Sequence, residues 1–383
     1  MGAAGQRSPA RDPASHERAA PRRALSTALR WAEIDLGAVR ANAAQVLAHL
    51  PKGAKLLAVV KANGYGHGGT AVARAALDGG ATGLAVATLE EAHELSTLVR
   101  ADQVLVMGGL TMDQASAAAA TGCSIAVSSF EFAKALGDRD EVVPVHLDID
   151  TGMGRFGCAV EEAPQLAKFI EDSPALRLAG TWTHFASAGS DAAMTRSQFD
   201  RFIGALATFE ADPGLRHACN SAGALHFPEF ALDAVRSGIA LYGCEWPGTR
   251  AAMTLRSVVT HVRTLGVGDT VGYGATWRSP GKSRVATVAI GYADGVFRAR
   301  SNRGHVLVRG HQAPLIGLVS MDAITVDVTE VRGVQVGDAV TLIGQDQGER
   351  IRAEDVAEWS NTISYEVLTS IGPRVERRYS PSP

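Results

Sequence analysis

Eight short apolar runs between residues 55 and 238 constrain the fold of this chain more than any other feature of its sequence. The runs lie at 55–60, 83–86, 103–106, 123–127, 143–149, 178–182, 216–219 and 233–236. Most are separated by stretches with helical periodicity, at 69–78, 88–99, 111–120, 161–171 and 195–210. Strands that alternate with helices form right-handed parallel βα units. Eight such units in about 190 residues predict a compact (β/α)8 barrel of the TIM type, and the alternative is a doubly wound open sheet.

The sequence pattern changes after Leu241, where helical periodicity largely stops. Short runs rich in Val and Thr follow at 255–264, 284–290, 305–308, 323–328 and 338–343, and Gly-Asp and Gly-Lys turns lie between them. These features predict an all-β domain. A chain of 383 residues is long enough for two domains. We therefore expect a barrel over 37–244 and a β-strand-rich domain over 245–383, with a strand at 31–36 that joins the β domain.

Residues 1–30 form an arginine-rich leader that differs in charge from the rest of the chain. Six arginines against Asp12 and Glu17 give this leader a net charge of +4, which leaves −7 for the remainder. The leader lacks the apolar segment of a secretory signal, and we expect it to be a disordered extension or residues upstream of the true start. The negative remainder argues against a nucleic-acid-binding surface.

No apolar run reaches the roughly 18–20 residues that a membrane helix requires, which predicts a soluble, cytoplasmic protein without membrane contact. The four cysteines show neither CxxC nor metal-type spacing, and we interpret them as buried thiols in a reducing compartment. The histidines of the predicted β domain are scattered without ligand spacing. We therefore expect no metal site.

Polar and small residues follow several of the predicted barrel strands. Barrel active sites lie at the C-terminal ends of the strands, so these residues should meet at one rim. In chain order they are Lys61, Asp148, Arg155, His184, Asn220, Ser221, Arg236, Gly238 and Ile239.

Lys61 ends an apolar strand, where a charged amine is unfavourable unless it is paired or used in chemistry. Burial lowers a lysine pKa and makes the amine nucleophilic. The loops after the seventh and eighth strands form the usual phosphate site of such barrels, and Ser221 and Gly238 lie there. A phosphate site opposite a strand-end lysine fits pyridoxal 5′-phosphate. The alternatives are a lysine that reaches to solvent and glycines that only form turns.

Nine motifs spread over the chain resemble those of the pyridoxal-phosphate-dependent alanine racemases. They are AVVKANGYGHG (58–68), DTGMGRFG (150–157), THFA (183–186), NSA (220–222), VRSGIALYG (235–243), VGYGATW (271–277), IGYADG (290–295), SMD (320–322) and ISYEV (363–367). They occur in order and cover nearly the whole chain after Trp31. The resemblance implies an N-terminal eight-stranded α/β barrel and a C-terminal β domain, in agreement with the strand pattern.

The resemblance also assigns roles to individual residues. It implies that Lys61 forms a Schiff base with pyridoxal 5′-phosphate, and that Tyr273 is a second catalytic residue contributed across a head-to-tail homodimer. The remaining cofactor-binding residues that it implies are Tyr65, Arg155, His184, Asn220, Ser221, Arg236, Gly238, Ile239 and Tyr365. Those that it places at the substrate, or along the path by which the substrate enters, are Arg155, Tyr292, Arg298, Met321 and Asp322.

Racemisation requires that a proton leave one face of the α carbon and return on the other. The resemblance implies that Lys61 serves the D-isomer and Tyr273 the L-isomer, with a chain from Tyr273 through His184 to Arg236. Because arginine keeps its proton, Arg236 disfavours a protonated ring nitrogen and so favours racemisation over transamination.

Asp148 stands where many relatives carry a carbamylated lysine, two residues before the aspartate of DTGMGR. His146, Asp148 and Asp150 alternate along the strand, so all three are expected to face the barrel interior. Asp148 would supply the negative charge and orient Arg155 by a charge-assisted hydrogen bond, with a water or a side-chain shift filling the gap. The alternative is a solvated carboxylate at the rim.

The sequence thus predicts an isomerase that interconverts L- and D-alanine for peptidoglycan precursors. The alternatives within this fold are a broad-specificity or serine racemase and an amino-acid decarboxylase, and a third class is a non-catalytic vitamin-B6 carrier. Decarboxylases of this fold use a cysteine-bearing segment where this chain has Tyr273, and the single-barrel carriers lack a β domain. Both features favour the racemase.

Overall fold

The structure, a computed structural model, describes Met1 and residues 28–138 and 141–380. Most of the leader therefore lies outside the described residues. Its last residue requires a correction, because Arg30 belongs to a strand and donates a hydrogen bond to the Asp294 carboxylate at 2.7 Å. That pairing places Arg30 in the folded chain, so the prediction of a leader over 1–30 is wrong at this residue.

The first large unit is an eight-stranded, all-parallel, nearly closed barrel, which confirms the predicted fold class and excludes the open doubly wound sheet. Its strands run in the order β8-β7-β6-β5-β4-β3-β2-β9. Backbone hydrogen bonds from Asp233 N to Arg216 O (3.1 Å) and from Arg236 N to Cys219 O (2.9 Å) join the two ends of this order. The strands are β2 (Lys55–Val59), β3 (Gly83–Val86), β4 (Val104–Val106), β5 (Ser124–Val127), β6 (Val143–Asp148), β7 (Leu176–Trp182), β8 (Leu215–His217) and β9 (Ala234–Ser237).

Helices follow the barrel strands, and most begin at residues that satisfy free backbone N–H groups. Thr88 and Glu91 form a reciprocal capping box at the start of α4, and Asp191 caps α8. The helices of this part are α1 (Leu36–His49), α2 (Lys61–Tyr65), α3 (Gly69–Asp78), α4 (Leu89–Leu95), α5 (Ala115–Ala120), α6 (Phe130–Leu136), α7 (Ala163–Asp172), α8 (Ala192–Leu206) and α9 (Ser221–His226).

The second unit is a nine-stranded sheet in the order β18-β17-β14-β15-β16-β13-β10-β1-β19, with a separate two-stranded ribbon, β11-β12. Its strands are β1 (Arg30–Asp35), β10 (Met253–Leu265), β11 (Thr270–Val271), β12 (Trp277–Arg278), β13 (Ser283–Val288), β14 (His305–Val308), β15 (His311–Ile316), β16 (Ile324–Asp327), β17 (Ala339–Asp346), β18 (Glu349–Ile351) and β19 (Glu376–Ser380). Two helices pack with it, α10 (Ala353–Ser360) and α11 (Ser364–Thr369).

Strand β1 connects the two units, because it pairs with β10 and β19 and leads directly into α1. Buried apolar side chains of both units form one continuous core. In the part of the chain that the structure describes, no helix is long and apolar enough to cross a membrane.

Candidate active site

A cavity of about 360 Å3 opens at the C-terminal ends of the barrel strands. All ten residues predicted to bind the cofactor line it. Val59, Ala62, Met107 and Thr369 also contribute and were not singled out from the sequence. The complete lining is Val59, Lys61, Ala62, Tyr65, Met107, Arg155, His184, Asn220, Ser221, Arg236, Gly238, Ile239, Tyr365 and Thr369.

Lys61 is half-buried at the mouth of the barrel, two residues beyond the end of β2. Burial lowers its pKa, and the nearby positive charge of Arg155 lowers it further, whereas Glu91 raises it. A lowered pKa increases the fraction of neutral amine, which is the nucleophilic form.

The backbone after Lys61 turns through an unusual left-handed segment. Ala62 (φ 52°, ψ 50°), Asn63 (φ 53°, ψ 47°) and Tyr65 (φ 51°) all adopt the conformation that favours glycine. The Asn63 carboxamide accepts a hydrogen bond from Gly69 N at 2.8 Å, which links the segment to the start of α3. Such strain persists only where surrounding contacts hold it, and it clusters at functional sites.

The loops after β8 and β9 come together opposite this turn. Ser221 Oγ accepts a hydrogen bond from Gly238 N at 3.0 Å and lies 3.0 Å from Ser237 Oγ. Asn220 caps α9 by accepting from Gly223 N, so its side chain holds the Ser221 backbone in place. A Cβ on Gly238 would lie only 2.4 Å from the Tyr65 hydroxyl oxygen. Hydroxyl and amide donors are therefore concentrated at one point, as an anion site requires.

A buried chain of donors and acceptors lies beneath the cavity. Arg236 donates from Nη1 to His217 Nδ1 (2.7 Å) and from Nη2 to the Thr183 carbonyl (2.8 Å), and Nη2 lies 3.5 Å from His184 Nδ1. Arginine only donates, so His217 Nδ1 must accept and its Nε2 proton faces His146 Nδ1 at 2.8 Å. His146 thus has an interior partner, as the sequence indicates.

Burial and the neighbouring positive charges keep His184 neutral. Burial lowers the pKa of His184 well below its usual value, and Arg236 adds to the effect. Burial also lowers the pKa of Arg236, to about 10, while the negative charge of Asp148 opposes that shift. Arg236 therefore still carries its positive charge at neutral pH, next to a neutral His184.

Asp148 and Asp150 require corrections. The structure shows no hydrogen bond or ion pair between Asp148 and Arg155, both of which are described, because the short aspartate lines a neighbouring cavity of about 470 Å3. Burial raises the pKa of Asp148 to about 7. Asp150 does not face the barrel interior, because β6 ends at Asp148 and the Asp150 carboxylate instead accepts from Gly152 N at 2.8 Å. An indirect link between Asp148 and Arg155 stays a prediction.

Tyr365 of α11 lines this cavity, but the other residues predicted on the β domain do not. Tyr273 lies in a short 3-10 turn with 72 % of its surface exposed, and Arg298 begins another such turn. Tyr292 and Met321 lie together, because Tyr292 N donates to Ser320 O and Ala293 N to Met321 O, each at 3.0 Å. Exposed Asp322 pairs with Arg374 at 2.6 Å. The described chain therefore holds two separated sets of predicted site residues, one around the barrel cavity with Tyr365 of α11 and one elsewhere on the β domain.

The fold and the cavity define a barrel enzyme in which a half-buried lysine amine lies opposite two loops that carry hydroxyl and amide groups. Family models for the alanine racemase N-terminal domain and the alanine racemase C-terminal domain match residues 34–245 and 252–379. The chain belongs to the alanine racemase family, which is a family of isomerases.

Individual relatives and solved structures agree over nearly the whole chain. An alanine racemase of Symbiobacterium thermophilum is 40 % identical over 364 residues, which cover 91 % of this chain and 96 % of the relative. Alanine racemase 2 of Bacillus subtilis is 37 % identical over 372 residues, covering 91 % and 94 %. The crystal structure of alanine racemase from E. faecalis matches with a TM-score of 0.87 at 35 % identity, covering 92 % of this chain and 98 % of that one. The Bacillus anthracis enzyme with bound L-Ala-P gives 0.86 at 35 % identity, covering 92 % and 95 %.

Proposed function

We propose that this protein interconverts L-alanine and D-alanine and supplies D-alanine for peptidoglycan precursors. The observation that carries the proposal is the single cavity in which the strand-end Lys61 faces the loops of Ser221 and Gly238. The relatives bear the name alanine racemase at about 40 % identity over most of the chain, which supports the same activity.

The residues of this cavity fit pyridoxal 5′-phosphate. Lys61 offers an amine for its aldehyde, and Ser221 and Gly238 offer a hydroxyl and an amide for its phosphate. One buried donor, Nε of Arg236, has no hydrogen-bond partner among the described residues, although the other guanidinium nitrogens are bonded. A ring nitrogen that accepts a hydrogen bond would satisfy this donor. When bound, the cofactor supplies an electron-withdrawing ring that acidifies the α-carbon proton of the attached amino acid.

Lys61 and Tyr273 are the proposed proton-transfer groups, one for each face of the α carbon. The lowered pKa of Lys61 increases the share of its neutral amine, which is the form that accepts a proton. The phenol of a free tyrosine has a pKa of about 10, so a tyrosine that exchanges protons near neutrality needs a neighbour that favours the phenolate. Neutral His184, oriented by charged Arg236, would supply that neighbour.

The proposed assembly is a head-to-tail homodimer in which each site takes Lys61 from one chain and Tyr273 from the other. Two features support it. Tyr273 does not line the cavity of its own chain, and 72 % of its surface is exposed. Tyr292, Met321, Arg298 and Asp322 would approach the substrate with it, from the same partner subunit.

A panel of amino acids incubated in heavy water tests this function. Wild-type protein should convert L-alanine to D-alanine with deuterium at the α carbon. Tyr273→Phe should still exchange the α proton of D-alanine through Lys61 but form almost no L-alanine. Release of carbon dioxide from basic amino acids would identify a decarboxylase instead, and the absence of any exchange would contradict the proposal.

A further inference from the structure

The turn that carries Lys61 lies beside the loop after the neighbouring strand. Strands β2 and β3 pair in parallel, with Val59 opposite Ala85, so both end at the same rim. The loop after β3 leads into α4, whose first turn contains Glu90 and Glu91. This register brings the start of α4 against the left-handed segment at Ala62.

Glu91 binds both loops with one carboxylate. Its Oε2 accepts from Ala87 N at 2.8 Å and from Thr88 N at 3.4 Å, at the start of α4. Its Oε1 accepts from Ala62 N at 2.6 Å, in the residue directly after Lys61. A helix-capping role explains the contacts of Oε2 but not the contact of Oε1.

The contact at Ala62 N is the one that acts nearest to the lysine. Asn63 binds Gly69 N at 2.8 Å, and His67 Nδ1 lies 2.9 Å from Tyr65 O. Both of those contacts hold the far end of the turn. Ala62 is exposed and carries a Cβ, so its left-handed backbone conformation is strained. The carboxylate of Glu91 stabilises this strained residue next to Lys61.

We propose that Glu91 is a positioning residue for Lys61, whose carboxylate fixes the left-handed turn and so aims the lysine amine into the cavity. The inference rests on the proposed function of Lys61. The negative charge of Glu91 also acts on the amine itself, in opposition to the positive charge of Arg155 and to burial.

The test compares Glu91→Gln with Glu90→Gln in the holoenzyme. A glutamine side chain keeps the size of glutamate but replaces one carboxylate oxygen by an NH2 group, which cannot accept a hydrogen bond. The backbone contact at Ala62 N or those at Ala87 N and Thr88 N must therefore break. Glu90 is the neighbouring exposed carboxylate of the same helical turn, and it does not line the cavity. Glu91→Asp is a second variant that keeps the charge but is one methylene too short to span both loops.

Two readouts separate positioning from a general structural role. The dissociation constant for pyridoxal 5′-phosphate should rise about tenfold in Glu91→Gln, which corresponds to the loss of one hydrogen bond to a charged group. The primary isotope effect on kcat/KM should increase with α-deuterated D-alanine, whose proton Lys61 removes, and should not increase with α-deuterated L-alanine. Glu91→Asp should change both readouts in the same direction, and Glu90→Gln should match wild type.

Equal values for wild type and both Glu91 variants would overturn the inference, and so would an equal loss in Glu90→Gln. If Glu91→Gln melts far below wild type, the same two readouts in Glu91→Asp decide whether Glu91 positions Lys61. If wild type binds the cofactor but racemises nothing, the proposed function fails, while the binding measurement still tests the role of Glu91.

Discussion

At the scale of single residues, the site depends on close approaches that only small side chains permit. Gly238 lies against the Tyr65 hydroxyl, and its amide donates to Ser221. The sequence motifs named these residues correctly as one group, since all three line the same cavity. The motifs could not show that the position of Tyr65 requires a glycine at residue 238, because that contact depends on how two distant segments pack.

Gly238→Ala is therefore expected to weaken cofactor binding by at least about tenfold, because its methyl group would lie 2.4 Å from the Tyr65 oxygen and displace that side chain. Titration with pyridoxal 5′-phosphate measures the effect. Gly204→Ala is the matched control, since a Cβ on Gly204 meets nothing within 4 Å. Equal affinities for both variants and wild type would contradict the proposed phosphate site.

The buried carboxyl of Asp148 gives a second residue-scale prediction. Burial raises its pKa to about 7, so its protonated form stabilises the fold below pH ~4 and this contribution is lost as pH rises toward 7. The stability of Asp148→Asn relative to that of wild type should therefore be greater at pH 8 than at pH 5. Thermal melts at both pH values measure the difference.

The carboxyl of Asp150 should have the opposite effect on the pH dependence of stability. Burial pushes the pKa of Asp150 up, but bonds from Gly152, Gly154 and Met153 outweigh it and leave that pKa lowered. The ionised form of Asp150 thus stabilises the fold at neutral pH, and this contribution is lost in acid. Asp150→Asn should melt below wild type at pH 8.

A pH-independent difference in stability between Asp148→Asn and wild type would show that the Asp148 carboxyl does not titrate in this range.

At the scale of elements, strand–helix alternation predicted the barrel strands to within a few residues, for example 83–86 and Gly83–Val86. That success has a physical cause, because parallel strands are buried on both faces and appear as continuous apolar runs. Strand β19 (Glu376–Ser380) was missed, since four of its five residues are polar or charged and it lies at the edge of its sheet. The left-handed turn at Ala62 was missed too, because non-glycine residues rarely adopt it.

Asp294 tests how β1 is held in the β domain. Its carboxylate is fully buried and accepts from Arg30 (2.7 Å), Arg374 (3.0 Å) and Gly291 N (2.9 Å). Asp294→Ala removes the acceptor of all three bonds, although Arg374 keeps its pair with Asp322, and should lower the free energy of unfolding by about 2 kcal/mol. Urea denaturation measures the loss.

The control is Asp172→Ala, which removes an exposed ion pair with Lys168 and should change stability little. If Asp294→Ala unfolds at the same urea concentration as Asp172→Ala, the buried ion pairs do not hold β1 in place.

At the scale of the whole molecule, the sequence predicted two units and a division of the catalytic residues between them. The structure describes one chain, in which Lys61 lines the barrel cavity and Tyr273 lies on the surface of the β domain. The proposed contact of Tyr273 with a second chain could not be derived from the sequence pattern, because an exposed tyrosine has no periodicity that indicates its partner. The shared site is thus the central claim that needs a direct measurement.

Hybrid dimers of Lys61→Ala and Tyr273→Phe, co-expressed with different affinity tags, provide that measurement. Each variant alone should form dimers that racemise alanine very slowly. In a hybrid, one of the two sites keeps both groups, so the purified hybrid should recover about half of the wild-type rate. A hybrid as inactive as its two parents would contradict the account, because it would show that Lys61 and Tyr273 do not meet across the dimer.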